Sequence, residues 1–392
     1  MPERDKTRLV HVARGHPAGG THGVNPPVIR ASTVLYSNTA HREEMAQRRL
    51  AGERNFVYGA RGTPTTFGLE DAITEIERGK RTQLFPTGLA AIAHAFLSVL
   101  KPGDHMLLAD SIYGPARMLA NEYFTPRGIA CEYYPGGAGG ASEVKRRLKP
   151  ETRLVYLDNP GSIVFDVQDV PAIAEAVKGS GALVAVDNTW GAGGLYRPIE
   201  LGADISVIAL TKYIAGHSDI TMGSVTGNDR IADQLWRDSY LLGQTVSPDD
   251  AYTVLRGLRT FAARIAMARS HAEQVIAWLA QHPSVARVLD PALPGDPGHE
   301  LWKRDFSGAN SLFSIELRRG YGREHACRCI DALKLFGIGA SWGGYESLAL
   351  TYPSVHGWNG GTLIRLHVGL EDPADLIPDL EHGLTAMGAP TG

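Results

Sequence analysis

Two charged residues in the middle of the chain each end an apolar segment. Asp187 closes the run Leu183-Val-Ala-Val-Asp187, and Lys212 lies 25 positions further on, after Ile208-Ala-Leu-Thr211. Both runs are typical of buried strands, so each charge is expected where a strand leaves a sheet, which is where α/β enzymes keep their chemistry. A buried lysine can lose its proton and form a Schiff base with pyridoxal 5'-phosphate (PLP), while a nearby carboxylate can keep the pyridine nitrogen protonated. The pair therefore predicts a PLP site, although each residue taken singly is also consistent with an ordinary surface charge.

Three further residues could serve the same cofactor and an amino-acid substrate. Gly88 precedes an apolar helical segment, and a helix N-terminus offers free N–H groups to a phosphate, although any strand-to-helix turn can contain a glycine. Tyr113 follows a predicted strand and could stack on a flat ring or belong to the core. Arg365 interrupts an apolar strand, where it is an unusual residue unless an acid pairs with it, and its fork-shaped cation suits an α-carboxylate.

The residues around Lys212 carry a family resemblance. Thr211-Lys212-Tyr213, followed by Gly216-His-Ser-Asp219, closely resembles the cofactor-lysine motif of the Cys/Met-metabolism PLP enzymes. Further segments similar to this family follow the same order, namely Tyr58-Gly-Ala-Arg61-Gly-Thr-Pro64, Thr87-Gly-Leu89, Asp110-Ser-Ile-Tyr113-Gly114, Ser341-Trp-Gly-Gly-Tyr-Glu-Ser347 and Gly361-Thr-Leu-Ile-Arg365-Leu-His-Val-Gly369. The resemblance extends from about residue 7 to residue 384. It implies an α/β, PLP-dependent transferase-like fold (aspartate aminotransferase fold type I), with a mostly parallel, seven-stranded type of sheet in the large domain and a smaller C-terminal α+β domain.

The resemblance also assigns a role to each candidate residue. Its catalytic group consists of Lys212, which carries PLP as a Schiff base and moves the Cα proton, Asp187, which faces the pyridine nitrogen, and Tyr113, which lies over the ring. The remaining cofactor-binding residues hold the phosphate, and they are Gly88, Leu89, Thr211, and Tyr58 and Arg61 of a neighbouring subunit. The substrate-binding residues are Ser341, Trp342 and Arg365, the last of which holds the α-carboxylate, together with Tyr58 and Arg61.

Two positions, Ala60 and Ala209, depart from the family pattern, and a third, Trp342, narrows the range of reactions. Ala60 stands where the family usually has arginine, which leaves open one phosphate contact, the recognition of the far end of the substrate, and whether Arg61 compensates. Ala209 replaces a common serine, which removes a hydrogen bond worth on the order of 1 kcal/mol. The segment around Trp342 is similar to bacterial cystathionine β-lyases, which implies β-elimination of L-cystathionine to homocysteine, pyruvate and ammonia. A γ-lyase, a sulfhydrylase, a lyase for other cysteine conjugates, and a binding protein without turnover remain alternatives.

Composition limits the class of protein. With 392 residues, 43% hydrophobic and 21% charged, the chain should form a two-domain globular protein. A net charge of −3 argues against a broad cationic face for nucleic acid or membrane. The charged N-terminus lacks the apolar core of a signal peptide, and three cysteines are too few for a disulfide framework, so we expect a cytoplasmic protein. Cys327 and Cys329 lie two apart in a helical pattern and diverge, so we expect no metal site.

Periodicity divides the chain into three parts. Residues 1–62 are rich in glycine, proline and polar residues, and this N-terminal arm should pack on the rest of the chain or reach a neighbouring subunit. A large PLP-binding α/β domain is predicted over 63–256 and a small α+β domain over 257–392, with Gly257 as a possible hinge. The family resemblance favours a homotetramer, a dimer of dimers with shared active sites. Helices are predicted over 68–78, 88–100, 116–123, 170–177, 248–282, 324–335 and 374–387, and strands over 104–109, 130–134, 153–157, 184–187, 205–210, 285–289, 312–317 and 363–368.

Overall fold

A seven-stranded sheet forms the centre of the larger part of the protein. The computed structural model describes residues 5–13 and 23–391, so residues 1–4 and 14–22 of the predicted N-terminal arm lie outside the described residues. The strands of this sheet are β1 (Arg81–Phe85), β2 (His105–Ala109), β3 (Ala130–Tyr134), β4 (Thr152–Asp158), β5 (Leu183–Asp187), β6 (Ile205–Ile208) and β7 (Gly223–Gly227). Their spatial order is β1-β7-β6-β5-β4-β2-β3, and only β7 runs antiparallel to its neighbours. The predicted mostly parallel sheet is confirmed.

Helices cover this sheet and connect its strands. They are α1 (Asp5–His11), α2 (Thr39–Leu50), α3 (Pro64–Glu77), α4 (Gly88–Val99), α5 (Gly114–Met118), α6 (Gly140–Arg147), α7 (Val170–Ala176), α8 (Ala232–Leu241) and α9 (Pro248–Leu279). The central strands β2, β4, β5 and β6 are apolar along nearly their whole length and are buried on both faces, as expected of a parallel sheet that helices cover on both sides. The carboxyl ends of these strands therefore open at one edge.

A second sheet forms the smaller C-terminal domain. Its strands are β8 (Val285–Leu289), β9 (Leu312–Leu317), β10 (Gly337–Ile338), β11 (Leu348–Tyr352) and β12 (Leu363–His367), in the order β10-β11-β12-β9-β8. Helices α10 (His299–Asp305), α11 (Arg323–Ala332) and α12 (Pro373–Ala386) complete it. A separate apolar cluster, which includes Phe313, Ile364 and Leu380, packs between this sheet, α9, α11 and α12. The predicted division into a large domain and a smaller C-terminal α+β domain is confirmed.

Helix α9 continues without interruption through Gly257, where the sequence predicts a possible hinge. A Cβ atom at this position would lie 2.3 Å from the carbonyl oxygen of Ala215. The glycine therefore allows α9 to pack closely on the turn that follows Lys212. The exact domain boundary near residue 256 stays a prediction.

The described part of the N-terminal arm contains two helices that the sequence did not predict. Helix α1 packs on α3 and α9, where Arg8 forms an ion pair with Glu75 and Leu9 is buried. Helix α2 begins at its N-cap Asn38, whose side chain accepts the N–H of His41, and none of its residues is buried. Within the described ranges, no helix has the length and apolar character to cross a membrane.

Candidate active site

A cavity of about 260 Å³ lies where the carboxyl ends of the large sheet meet the small domain. Eight of the eleven residues that the sequence singled out for the site line this cavity, and they are Gly88, Leu89, Tyr113, Asp187, Thr211, Lys212, Trp342 and Arg365. A ninth, Ser341, contacts Lys212 directly. The fold therefore brings together residues that are more than 250 positions apart in sequence.

Lys212 follows β6 in a tight turn, and its amine lies between the two domains. The Nζ atom donates a hydrogen bond to the Ser341 hydroxyl at 2.7 Å and lies 5.3 Å from the centre of the Trp342 ring. Burial, with the nearby cation of Arg365, lowers the pKa of Lys212 to about 8, although Asp187 opposes this shift. An amine with this pKa is half uncharged at about pH 8 and roughly one tenth uncharged at pH 7, so it can act as a nucleophile or a base near neutral pH.

Asp187 is held in place at the end of β5 by hydrogen bonds from its neighbours. Its Oδ1 atom accepts the N–H of Thr189 at 2.9 Å, and its Oδ2 atom accepts the hydroxyl of Tyr156 at 3.3 Å. Burial raises the pKa of Asp187 in the chain alone. A cation next to this carboxyl would restore its charge, as a protonated pyridine nitrogen does.

The N-terminus of α4 provides the phosphate-binding geometry that the sequence predicts. The Thr87 hydroxyl caps this helix by accepting the N–H of Ala90, while the preceding N–H groups of Gly88 and Leu89 have no acceptor among the described residues. A Cβ atom at Gly88 would lie 2.7 Å from Cβ of Ala209, so only glycine allows this close approach. Thr211 lines the same cavity, but its hydroxyl exchanges hydrogen bonds with the backbone of Met222 at 2.9 and 3.1 Å.

Arg365 is a buried cation in the middle of β12 and is 8% exposed. Among the described residues, it donates hydrogen bonds only to the carbonyl oxygens of Ala340 and Ser341, at 3.1 and 3.3 Å. Among the residues that the structure describes, no carboxylate forms an ion pair with it, so the internal ion pair considered from sequence is absent there. A carboxylate in the cavity would provide the missing counter-charge.

Two glycines allow the small domain to reach Lys212. Gly343 has φ of +81°, and a Cβ atom there would lie 2.9 Å from the backbone nitrogen of Tyr213. At Gly344 a Cβ atom would lie 2.1 Å from the hydroxyl oxygen of Ser218. The Ser-Trp-Gly-Gly sequence therefore places Trp342 against Tyr213, with ring centres 5.4 Å apart, and brings the hydroxyl of Ser341 to Lys212.

Tyr113 lies at the mouth of the cavity and is 44% exposed. Its backbone N–H donates to Oδ2 of Asp158 at 2.8 Å, which fixes the start of α5. Burial of its ring, with the negative charge of Asp187, raises the pKa of the Tyr113 phenol, which keeps it neutral. Asp158 was not singled out from sequence, although it ends the apolar strand β4 in the same way that Asp187 ends β5.

Tyr58 and Arg61 do not line this cavity within one chain. Tyr58 is 49% exposed, and the guanidinium of Arg61 lies 3.4 Å from the ring centre of Tyr240, where it lines a different cavity beside α8. The expectation that these residues serve the site of a neighbouring subunit stays a prediction.

The family described as Cys/Met metabolism PLP-dependent enzyme matches residues 6–385. The chain belongs to this family. It is 45% identical over 388 residues to a cystathionine beta-lyase of Bordetella avium, with 96% of each chain covered. It is 40% identical over 375 residues to the cystathionine beta-lyase MetC of Escherichia coli K12, with 93% of this chain and 94% of the relative covered. The solved structure of a cystathionine gamma synthase from Xanthomonas oryzae pv. oryzae, in complex with aminoacrylate and cysteine, has a TM-score of 0.89 and 30% identity over 99% of each chain.

The cofactor of this family is PLP, and the cavity fits it. The free N–H groups at the start of α4 match a phosphate, the buried carboxyl of Asp187 matches a pyridinium ion, and the amine of Lys212, whose lowered pKa makes its uncharged form accessible, matches an aldehyde. Among the described residues, the two N–H groups have no acceptor, while burial raises the pKa of Asp187 and lowers that of Lys212. A bound cofactor would relieve each of these unfavourable states. Within 5–13 and 23–391, no cluster of three His, Cys, Asp or Glu side chains has the arrangement of a metal site.

Proposed function

We propose that the protein is a cystathionine β-lyase, which breaks the bond between sulfur and Cβ of L-cystathionine and, with one water, gives homocysteine, pyruvate and ammonia. The guanidinium of Arg365, which has no carboxylate partner within residues 5–13 and 23–391 and lines the same cavity as the Lys212 amine, is the observation that supports an amino-acid substrate most directly. The names of the Bordetella avium and Escherichia coli relatives support the reaction and its substrate.

Each side chain contributes a separate part of the proposed reaction. PLP, when bound, supplies an electron sink that stabilises negative charge at Cα of the amino acid. Arg365 would bind the α-carboxylate and so orient the amino acid towards Lys212. Asp187 would hold a proton on the pyridine nitrogen, and Tyr113 would contact the ring. The N–H groups of Gly88 and Leu89 would hold the phosphate.

Lys212 is the proposed base that removes the Cα proton. Its pKa of about 8 allows it to accept a proton near neutral pH, and the Ser341 hydroxyl, at 2.7 Å, keeps the amine pointed into the cavity when it is free. The same amine can then deliver a proton to the departing sulfur, so that homocysteine leaves as a thiol. Trp342 excludes water from one side of the amine.

An assay of products from L-cystathionine tests the proposal. Purified enzyme with PLP should release pyruvate and homocysteine in equal amounts, and Lys212→Ala should abolish both. Release of 2-oxobutyrate and cysteine would instead identify a γ-lyase. If L-cystathionine gives none of these four products but other cysteine S-conjugates give pyruvate, the enzyme is a lyase of different substrate preference.

We further propose that the enzyme is a cytoplasmic homotetramer in which Tyr58 and Arg61 complete the active site of a neighbouring subunit. The exposure of α2 and of Tyr58 supports such a contact. If Tyr58→Phe and Lys212→Ala are each inactive, a mixture refolded together should regain about a quarter of wild-type activity, because half of random pairs are mixed and each mixed pair holds one intact site. No recovery in the mixture would refute the shared site.

A further inference from the structure

Two buried carboxyl groups lie side by side at the cavity. Asp158 ends β4 and Asp187 ends β5, the two residues are opposite each other in the parallel register, and both line the cavity. Neighbouring strands are about 4.8 Å apart, so two negative charges here would repel strongly in surroundings that also disfavour each charge singly. Ionisation of both carboxyl groups at once is therefore strongly disfavoured.

The hydrogen bonds indicate which group is ionised. Asp187 accepts two donors, the N–H of Thr189 on Oδ1 and the hydroxyl of Tyr156 on Oδ2, and the cation of Lys212 favours its charged form. A protonated pyridine nitrogen would add a third donor and a full positive charge. Such donors and cations stabilise the carboxylate form.

Asp158 has a much poorer environment for a negative charge. Its Oδ2 atom accepts one N–H, from Tyr113, and its Oδ1 atom is buried without a hydrogen-bond partner. The other groups that face it are the acid Asp187 on β5, the acid Asp166 in the loop after β4, and the neutral phenols of Tyr113 and Tyr156. Across residues 5–13 and 23–391, no cation forms an ion pair with Asp158. Burial and the negative charge of Asp187 both raise the pKa of Asp158.

We infer that Asp158 is a neutral positioning residue, which keeps its proton while Asp187 carries the single negative charge that faces the cofactor. Its Oδ2 atom accepts the backbone N–H of Tyr113 and so holds this residue at the mouth of the cavity. The inference deepens the proposed function and rests on its placement of Asp187 beside the pyridine nitrogen. The two acids at this edge of the sheet thus have the same chemistry but different charges.

Two substitutions separate the hydrogen bond from the charge. Asp158→Asn keeps an acceptor for the N–H of Tyr113 and cannot ionise, whereas Asp158→Ala removes the acceptor. If Asp158 is neutral, the asparagine variant should retain PLP affinity and kcat within about threefold of wild type, and the alanine variant should lose about tenfold or more in kcat. Asp187→Asn is the matched control, because it removes the charge that the inference requires and should lose both PLP affinity and activity.

The protonation state can be measured without turnover. Infrared spectra of the PLP-loaded enzyme should contain the carbonyl stretch of a protonated carboxyl group that disappears in Asp158→Asn. Growth with ¹³C-labelled aspartate should shift this band, which separates it from the buried Glu70 and Glu77, whose pKa values burial raises to about 7. Absence of a shifted band in the wild-type enzyme would overturn the inference, even if the asparagine variant did not fold.

The PLP affinities of the two asparagine variants provide a second test. A loss of PLP in Asp158→Asn as large as that in Asp187→Asn would show that Asp158 must be ionised, and would also overturn the inference. Failure of the wild-type enzyme to cleave L-cystathionine would refute the proposed substrate alone, because PLP retention and the infrared band are measured without that substrate.

Discussion

Replacement of Arg365 by methionine should separate substrate binding from protein stability. The Arg365 guanidinium is buried, and within the described part of the chain only the carbonyl oxygens of Ala340 and Ser341 accept its hydrogen bonds. Removing a buried charge that has no counter-ion relieves an unfavourable burial free energy, but it also leaves two carbonyl oxygens without this donor. Because these effects oppose each other, we expect the unfolding temperature of the apo-enzyme to change by less than about 3 °C.

Catalytic efficiency should fall far more than stability. A guanidinium that holds a carboxylate with two charge-assisted hydrogen bonds contributes about 1.5–3 kcal/mol for each bond, so the pair is worth about 3–6 kcal/mol. At about 1.4 kcal/mol for each factor of ten, kcat/KM should fall roughly 150- to 20,000-fold. Most of this loss should appear in KM if the contact is equally strong in the ground state and the transition state.

Arg269 offers a matched control, because it is a partly buried arginine that does have an acidic partner. Its Nη1 atom lies 2.6 Å from Oδ2 of Asp290, which is only 1% exposed. Arg269→Met leaves a buried carboxylate without its cation, which should cost about 3–5 kcal/mol of unfolding free energy. Thermal unfolding of both apo-variants and pyruvate release from L-cystathionine test the contrast. A large drop in unfolding temperature for Arg365→Met, with kcat/KM unchanged, would refute the assignment of Arg365 to the substrate carboxylate.

Three other measurements test the site and its surroundings. The rate of PLP incorporation into the apo-enzyme, followed by absorbance, should rise with pH and level off above about 8, because only the uncharged Lys212 amine reacts; a rise that continues to pH 10 would contradict the lowered pKa. Gly343→Ala should weaken PLP retention by forcing Tyr213 away, whereas Gly388→Ala, which has a similar positive φ but no atom within 4 Å of the added Cβ, should not. Burial lowers the pKa of His367 from 6.5 to about 4, so its contribution to stability is present above pH 6.5 and is lost as pH falls towards 4. His367→Asn should therefore remove about 2 kcal/mol of the stability difference between pH 7 and pH 5 in urea denaturation of the apo-enzyme, and an unchanged difference would refute this cause.

Several strands could be predicted because their signal is local. Strands β3, β8 and β9 have the predicted bounds, and β5 differs by one residue, since apolar runs bounded by turn residues define each of them. Strands β1 and β7 lack such runs. In β7 the sequence is Gly-Ser-Val-Thr-Gly, and its place in the sheet depends on β1, where the hydroxyl of Thr82 bonds that of Thr226 at 2.8 Å. A partner 144 positions away leaves no trace in a local pattern.

The site shows the same division between local and distant signals. Lys212, Asp187 and Gly88 stand at the ends of predicted elements, and the structure brings all three to one cavity. The lowered pKa of Lys212 depends on burial between the two domains and on Arg365, which is more than 150 positions away in sequence, so the sequence could predict the residue but not its protonation state. The helix α2 was missed for a different reason, because its capping and charged residues give a helix without an apolar face.

Asp158 shows why position at a strand end does not by itself assign a role. By sequence it is equivalent to Asp187, since each is the acid that ends a buried parallel strand. The difference arises from hydrogen bonds to residues elsewhere: Asp187 receives the Tyr156 hydroxyl and the Thr189 N–H, while, in the part of the chain that the structure describes, Asp158 receives only the Tyr113 N–H. Because burial makes each charge expensive, this difference in donors decides which acid ionises. The charge at the cofactor therefore depends on tertiary contacts around two acids that the strand pattern alone cannot distinguish.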